Sequence, residues 1–265
     1  MRITEIVIAI LLAGAAVEAA TPQERAERLN KVLRDNLKVQ HGPYLQAYDY
    51  SEKTWYLKRL HDKDAKLIDD DVRAKCLKIS FIGAVHEHDA PFAACVLMRI
   101  RREVKGFSQR AEAALIKRAV STARFASDYG RRLFSDALDE EIGRLSSPSG
   151  YTFARMRAIR IKPFILRPPA TLADAVRCLN SKAVAADYVN DGMGVEFTLE
   201  LESAEQKPPI LPKVEVGCRV EGGMVESNEV TLEEAAKAVV ESVGYALNIG
   251  SNGVVTVARD LKRVK

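Results

Sequence analysis

The sequence predicts an α+β protein in which an all-helical unit precedes a smaller unit of mixed helices and strands. Apolar residues recur at helical spacing between residues 21 and 145, with short connections between the periodic stretches. After small and helix-breaking residues at 146–150, β-branched residues and two-residue alternation appear. The 265 residues, 47% of them apolar, are sufficient for two cores of ordinary size.

The first twenty residues have the composition of a bacterial signal peptide. Arg2 supplies a positive start, residues 6–17 are largely apolar, and small residues surround the expected cleavage point. The apolar run is too short to span a bilayer comfortably, and no second hydrophobic stretch of spanning length follows it. We therefore predict a signal peptide at 1–20 and a periplasmic or secreted chain without a transmembrane span. Because Glu5 and Glu18 are unusual in a signal, a buried N-terminal helix of a cytoplasmic protein is the alternative.

The helical unit is predicted at 21–145 and begins with a capping box. Thr21 as N-cap and Glu24 at the third helical position predict a helix that ends near Gln40. Ser51 is predicted to cap the second helix.

Later helix starts in this unit are marked in the same way. Three acids at 69–71 suit a helix N-terminus better than a metal site. Pro91 begins the next helix, Ser108 caps another, and a last one is predicted at about 131–145. The helices are expected to form either a compact bundle or a small solenoid, although no fixed-period repeat is present.

A linker is predicted at 146–157, followed by the α+β unit at 158–260 and a basic tail at 261–265. Ala158–Leu166 reads as a strand interrupted by Pro163. Thr171 caps a helix whose buried face is expected to include Val184. Apolar residues from 195 to 201 then alternate with acids, which predicts a strand with one buried face.

The second half of this unit repeats the pattern. Lys213–Val220 is predicted as one strand that ends at Gly222-Gly223. Thr231-Leu232-Glu233-Glu234 forms a full capping box, and Gly244 ends the helix. The alternating residues before and after 250–253 predict a hairpin. The predicted order is therefore β-α-β-β-α-β-β.

These residues resemble a known family, the short N-terminal domain of secretins and TonB receptors. The resemblance rests on Thr-Leu-x-x-Ala at 231–235, Gly244, and a hairpin that ends in Val-Val-x-Val at 254–257. Thr171–Val216 resembles the first helix and the following strand of that domain more weakly. The helical unit is not part of the family, and no secretin or receptor barrel follows residue 260 in this sequence.

The resemblance implies an interaction module of the cell envelope, and the leading hypothesis is a non-enzymatic scaffold protein. Its partner would be an envelope protein of secretion, pilus or outer-membrane transport machinery, of secretin type or linked to TonB. Strand addition or packing on a helix face are the expected modes. The predicted interaction surface consists of residues on the alternating strands: Val195, Phe197, Leu199, Tyr245, Leu247, Ile249 and Val255.

The four cysteines, Cys76, Cys95, Cys178 and Cys218, permit disulfides in an exported protein. Their order suggests Cys76–Cys95 and Cys178–Cys218, although three connectivities are available and buried free thiols are the alternative. No spacing resembles a CxxC metal or redox pair, and no cofactor motif is present.

Two other classes of function remain as rivals. A metal-dependent hydrolase would be centred on His86 and His88, but two histidines two residues apart diverge on a helix and do not form the HExxH pattern. A nucleophilic Cys76 or Cys95 beside His86 is a weaker variant of that hypothesis. Nucleic-acid binding is not expected, because the net charge of +4 is interspersed with acids and Gly222-Gly223 does not form a GxxG loop.

Overall fold

The computed structural model describes residues 20–40, 50–61, 65–188, 194–201, 206–221 and 224–260, and it confirms the α+β class with a helical N-terminal unit. Within these residues, the first seven helices are α1 Pro22–Gln40, α2 Tyr50–Leu60, α3 Asp70–His86, α4 Ala90–Glu103, α5 Gln109–Thr122, α6 Asp128–Arg144 and α7 Pro148–Ala158. A 3-10 turn, Ala65–Leu67, lies between α2 and α3. Within the described residues, every helix is either too short or too polar to span a bilayer.

The strands and the last two helices follow in the order β1 Arg160–Ile161, β2 Phe164–Leu166, α8 Leu172–Ala186, β3 Phe197–Leu199, β4 Val214–Val216, β5 Cys218–Glu221, β6 Met224–Ser227, β7 Val230–Thr231, α9 Leu232–Glu241, β8 Tyr245–Ile249 and β9 Val255–Arg259. Among the residues that the structure describes, three two-stranded antiparallel sheets are formed, by β1 with β7, β2 with β4, and β5 with β6. A three-stranded sheet has the order β3-β9-β8, with β3 parallel to β9 and β8 antiparallel to it.

Most predicted helix starts are confirmed. The Thr21 N–H donates to Glu24 Oε2 at 2.8 Å, and the Glu24 N–H donates to Thr21 Oγ1 at 3.2 Å. The prediction for Ser51 is wrong, because α2 begins one residue earlier, at Tyr50. The signal peptide at 1–20 lies almost wholly outside the described residues, as do 41–49, 222–223 and the tail at 261–265.

The three acids at 69–71 stand at the start of α3, but none of them caps it through a side-chain hydrogen bond. Asp69 pairs with Arg34 of α1 instead. Asp70 accepts from Lys105 at 2.9 Å, an ion pair that lowers the pKa of the Asp70 carboxyl. Asp69 and Asp70 therefore tie α3 to neighbouring segments, whereas Asp71 pairs with Lys75 of the same helix.

The core of the helical unit is centred on α3 and α4. Seven apolar side chains of α4 beyond its first residue are buried: Phe92, Ala93, Ala94, Cys95, Val96, Leu97 and Ile100. Burial on so many sides marks α4 as a central helix, because a surface helix buries only one stripe. α3 contributes a further set that includes Leu77 and Phe81.

The linker predicted at 146–157 is wrong, because most of it is helix α7. Ser147 caps this helix by accepting the N–H of Gly150 at 3.1 Å, and Pro148 occupies its first turn. A serine followed by proline starts a helix as readily as it breaks one, since the backbone N–H that proline lacks would have no partner within the first turn of a helix. Ala154 belongs to the helical core and Met156 to the α+β core, so α7 joins the two units.

Both capping boxes of the α+β unit are confirmed, at Thr171 with Asp174 and at Thr231 with Glu234. Pro163 separates β1 from β2 as predicted. The single strand predicted at 213–220 is wrong, because Gly217 divides it into β4 and β5 with different partners. Gly217 has φ of 80°, and a Cβ there would lie 2.5 Å from the Asn228 carbonyl oxygen. Val184 is exposed, contrary to its predicted place on the buried face of α8.

All four cysteines are free thiols, so the predicted pairs Cys76–Cys95 and Cys178–Cys218 are not formed. Cys76 and Cys95 are buried on the two central helices of the helical core. Loss of hydration raises the pKa of the Cys76 thiol to about 12 and that of Cys95 further. A thiol held protonated in this way is a poor nucleophile, and both cysteines act as small apolar core residues.

Candidate functional site

The two histidines of the hydrolase hypothesis are held against the connection between α5 and α6. His86 Nε2 lies 3.0 Å from Thr122 Oγ1, and His88 Nε2 lies 3.1 Å from the carbonyl oxygen of Arg124. The His88 ring also stacks on Phe125, with centroids 4.5 Å apart. The Thr122 hydroxyl donates to the Arg118 carbonyl, so it accepts from His86 and fixes the proton on Nε2.

This arrangement gives the hydrolase hypothesis no support. Each Nε2 is used in a hydrogen bond to the protein, so a metal could meet only Nδ1 of either ring. Within the described residues, no three His, Cys, Asp or Glu side chains lie close enough to hold a metal ion.

The side chains of the predicted interaction surface face the core of the α+β unit, so the prediction that they form an exposed surface is wrong. Cross-strand partners share a face of a sheet. Val255 is the register partner of both Phe197 and Ile249, and Val257 is the partner of Leu199 and Leu247. The periodicity extends this face to Val195 and Tyr245. Val195, Phe197, Tyr245 and Val255 are buried, and the other three predicted residues are partly buried against the same core.

The opposite face of the sheet is polar. Glu196, Thr198 and Glu200 alternate with the inward residues of β3 and are exposed, as predicted for the acidic face. Thr256 of β9 and Asn248 of β8 continue that face. Any partner that docks on the sheet therefore meets either this polar face or the backbone of an edge strand.

The edge of β3 is closed by a side chain from α8. Asn180 Oδ1 accepts the N–H of Phe197 at 2.7 Å, and Asn180 Nδ2 donates to the Phe197 carbonyl at 2.9 Å. The amide thus makes the two hydrogen bonds that a neighbouring strand would make. Asn180 follows the buried Leu179 on α8, and no local sequence pattern identifies it as the partner of Phe197.

The edge formed by β8 is open. On β9, Val255 and Val257 hydrogen-bond toward β3, and Thr256 and Ala258 face β8. Because hydrogen-bonded and non-hydrogen-bonded positions alternate along an antiparallel pair, the N–H and C=O groups of Tyr245, Leu247 and Ile249 point away from β9. Within the described part of the chain, no hydrogen bond reaches these groups. The strand has no Lys or Pro, the residues that commonly protect a sheet edge.

A charged cleft of about 700 Å³ lies where the helical unit meets the α+β unit. The turn between α3 and α4 forms one wall, and the opposite wall comes from the end of α7, β1 and the start of α9. Its lining residues are Glu87, His88, Asp89, Pro91, Arg157, Arg160, Thr231, Glu233 and Glu234. No local pattern in the sequence predicts this site, because the residues that line it are far apart along the chain.

Two of the cleft carboxylates serve as helix caps. Asp89 accepts the N–H of Phe92 and, at 3.2 Å, Arg160 Nη2. Glu234 accepts the N–H and hydroxyl of Thr231, and these hydrogen bonds lower the pKa of the Glu234 carboxyl.

The guanidinium groups keep unused donors. Arg157 Nη1 donates to the buried Glu141, and its Nε lies 3.9 Å from Glu233. Among the described residues, Arg157 and Arg160 each hydrogen-bond through one nitrogen only. Since a guanidinium has five N–H donors, both can bind a further acceptor.

No family of known proteins, no curated protein and no solved structure matches this chain. The resemblance of residues 158–260 to the secretin and TonB-receptor short domain therefore stays a prediction.

Proposed function

We propose that this chain is an exported, non-enzymatic interaction protein of the cell envelope, and that its α+β unit binds a protein partner by strand addition to β8. The observation that carries the proposal is the open outer edge of β8, which contrasts with the closed edge of β3. An extended partner segment would pair with the outward N–H and C=O groups of Tyr245, Leu247 and Ile249. Main-chain hydrogen bonds would supply the affinity, so the inward side chains need not move.

Export is supported by the apolar stretch at 6–17 and the small residues after it. A periplasmic or secreted location would bring the β8 edge into contact with envelope proteins, among which secretin-type or TonB-linked machinery is the proposed partner. N-terminal sequencing of the mature protein tests this step, and a start near Ala20 is expected. A chain that retains its first twenty residues contradicts export.

The interaction is tested by a pair of proline variants. Leu247→Pro removes an outward N–H from the open edge, whereas Leu199→Pro removes the equivalent outward N–H from β3. A photo-crosslinking residue at the exposed Asn248 position should capture one discrete envelope protein. Leu247→Pro should abolish that capture, and Leu199→Pro should preserve it. Equal capture by both variants contradicts strand addition at β8.

A further inference from the structure

We infer that two copies of this chain pair through their β8 strands, so that the protein without its partner is a symmetric dimer in which each copy covers the outer β8 edge of the other. The inference rests on the same open edge as the proposed function, and it names what occupies that edge before a partner binds. An exposed sheet edge without charges, proline or a bulge is a template for pairing with another chain. β8 has the sequence YALNI and a continuous register, so it carries none of these protections.

The register of β8 is self-complementary. Its outward N–H and C=O groups belong to Tyr245, Leu247 and Ile249, which are evenly spaced about Leu247. A two-fold axis at Leu247 places Tyr245 of one copy opposite Ile249 of the second copy, and Leu247 opposite Leu247. Opposed residues at such positions of an antiparallel pair exchange both of their hydrogen bonds. Every outward group of these three residues would therefore find a partner.

The side chains that the same axis brings together are compatible. On the core-facing side, Leu247 and Ile249 are only partly buried in the single chain. Pairing would place Leu247 beside its counterpart and Ile249 beside Tyr245, which covers apolar surface that the single chain leaves exposed. On the polar face, Ala246 would lie opposite Asn248. Because β8 has no charged residue, no like charges of the two strands would face each other.

The residues that flank β8 add no obstruction. The same axis places Gly244 of one copy opposite Gly250 of the second copy at each end of the pair. Neither glycine has a side chain that could meet the neighbouring strand. Pairing at β3 is prevented in contrast, because the Asn180 amide already binds the backbone of Phe197 there. A two-fold contact of this kind is closed, so it produces dimers and not filaments.

Self-pairing makes partner binding competitive. A strand from an envelope protein needs the same N–H and C=O groups of β8, so it must displace the second copy. Capture of that partner should therefore decrease as the concentration of this chain rises above the Kd of the dimer.

Analytical ultracentrifugation of the purified chain tests the dimer. The wild type should change from monomer to dimer between about 1 and 100 μM, as expected for a small interface. Leu247→Pro removes an outward N–H and should remain monomeric, whereas Leu199→Pro on β3 is the matched control and should dimerise as the wild type does. If Leu247→Pro fails to fold, Ala246→Lys combined with Asn248→Lys provides a second test. These substitutions place like charges opposite each other across the pair and should also give a monomer at low salt.

Cysteine pairing tests the register. In a background with Cys178→Ala and Cys218→Ala, one chain carries Ala246→Cys and the other carries Asn248→Cys. An equal mixture should form an intermolecular disulfide, because the two positions are opposed with Cα atoms about 4.5 Å apart. Either variant alone should stay largely unlinked, since two like positions lie on a diagonal of about 7–8 Å.

Three results overturn the inference. The first is a wild type that stays monomeric at about 100 μM. The second is a dimer that persists in folded Leu247→Pro or in the double lysine variant. The third is equal disulfide formation in the mixture and in the single cysteine variants.

The two proposals for β8 fail in distinguishable ways. A monomeric chain that still captures an envelope protein in a manner sensitive to Leu247→Pro refutes the dimer and leaves the proposed function standing. A dimer with the predicted register that captures no envelope protein refutes the proposed function and leaves the dimer standing.

Discussion

The helical unit and the α+β unit are held together in different ways. The helical unit surrounds α4 with apolar side chains, so its stability derives mainly from burial. The α+β unit is built from strands of two to five residues, which offer few ladder hydrogen bonds. Polar side chains supply further hydrogen bonds in this unit. They include two capping boxes, the two hydrogen bonds between the Asn180 amide and the backbone of Phe197, and the Arg155–Asp187 ion pair. The α+β unit should therefore be more sensitive than the helical unit to the loss of polar groups.

The largest effect is expected at the ion pair that fixes the end of α8. Asp187 is fully buried, and its Oδ2 accepts Arg155 Nη2 at 2.5 Å and the Gly194 N–H at 3.1 Å. Asp187→Ala would leave the Arg155 guanidinium buried without its carboxylate partner. We expect the free energy of unfolding to fall by about 3–5 kcal/mol in urea denaturation.

The control for this pair replaces both charges at once. Arg155→Leu combined with Asp187→Leu should recover most of the loss, because no uncompensated charge remains buried. A double variant that is as unstable as Asp187→Ala alone would show that shape, and not charge pairing, is what α7 and α8 require.

The next effect concerns two helices of the helical unit that have equal length. α4 and α5 each have 14 residues, but α5 buries only Ala119 among its side chains. Leu97→Ala on α4 should cost about 2–5 kcal/mol, because its side chain is fully buried and a cavity remains. Leu115→Ala on α5 should cost markedly less, since Leu115 is only partly buried. Equal losses in urea denaturation would refute the view that α4 is central and α5 peripheral.

The sequence predicted where most helices begin, but not how deeply each helix is buried. Helix starts at Thr21, Ser108, Thr171 and Thr231 were predictable because capping is local chemistry. The same apolar spacing in α4 and α5 gave no measure of burial, which depends on the neighbours that each helix meets. The helix at 148–158 was missed because Ser147-Pro148 reads equally as a break or as a cap.

The candidate sites were harder to predict than the elements. Alternation identified the two faces of β3 and β8 and predicted that one face of β3 is buried, but it could not identify the helices that cover that face. Which strand edge stays open depends on a contact between residues 180 and 197, and the cleft depends on walls from three separate segments. Pairings of this kind are set by tertiary packing, which local patterns do not encode.

A smaller effect is expected from the loss of the two hydrogen bonds that Asn180 makes to β3. Asn180→Ala leaves the N–H and C=O of the buried Phe197 without their partner. We expect a loss of about 1–3 kcal/mol in unfolding free energy, the cost of unsatisfied buried polar groups. Asn248→Ala, on the exposed face of β8, is the matched control and should change stability by no more than about 0.5 kcal/mol. If both alanine variants are equally stable, the hydrogen bonds from Asn180 do not stabilise β3.

The smallest effect is a pH dependence of stability that should differ between the helical unit and the α+β unit. Burial, followed by the neighbouring His88, lowers the pKa of the His86 imidazole. The folded state therefore binds fewer protons than the unfolded state, and stability falls as the pH drops below the unfolded histidine pKa of about 6.5. Carboxylates with lowered pKa, such as Glu234 in the α+β unit, lose their contribution only below about pH 4.5.

Trp55 fluorescence reports on the helical unit, because the only tryptophan lies in α2. The urea midpoint followed by this signal should decrease between about pH 7 and pH 5, and His86→Gln should flatten the decrease. All four histidines precede residue 89, so the α+β unit has none to titrate in this range. An unchanged pH profile in His86→Gln would assign the response to another group and remove His86 as the basis of the difference between the units.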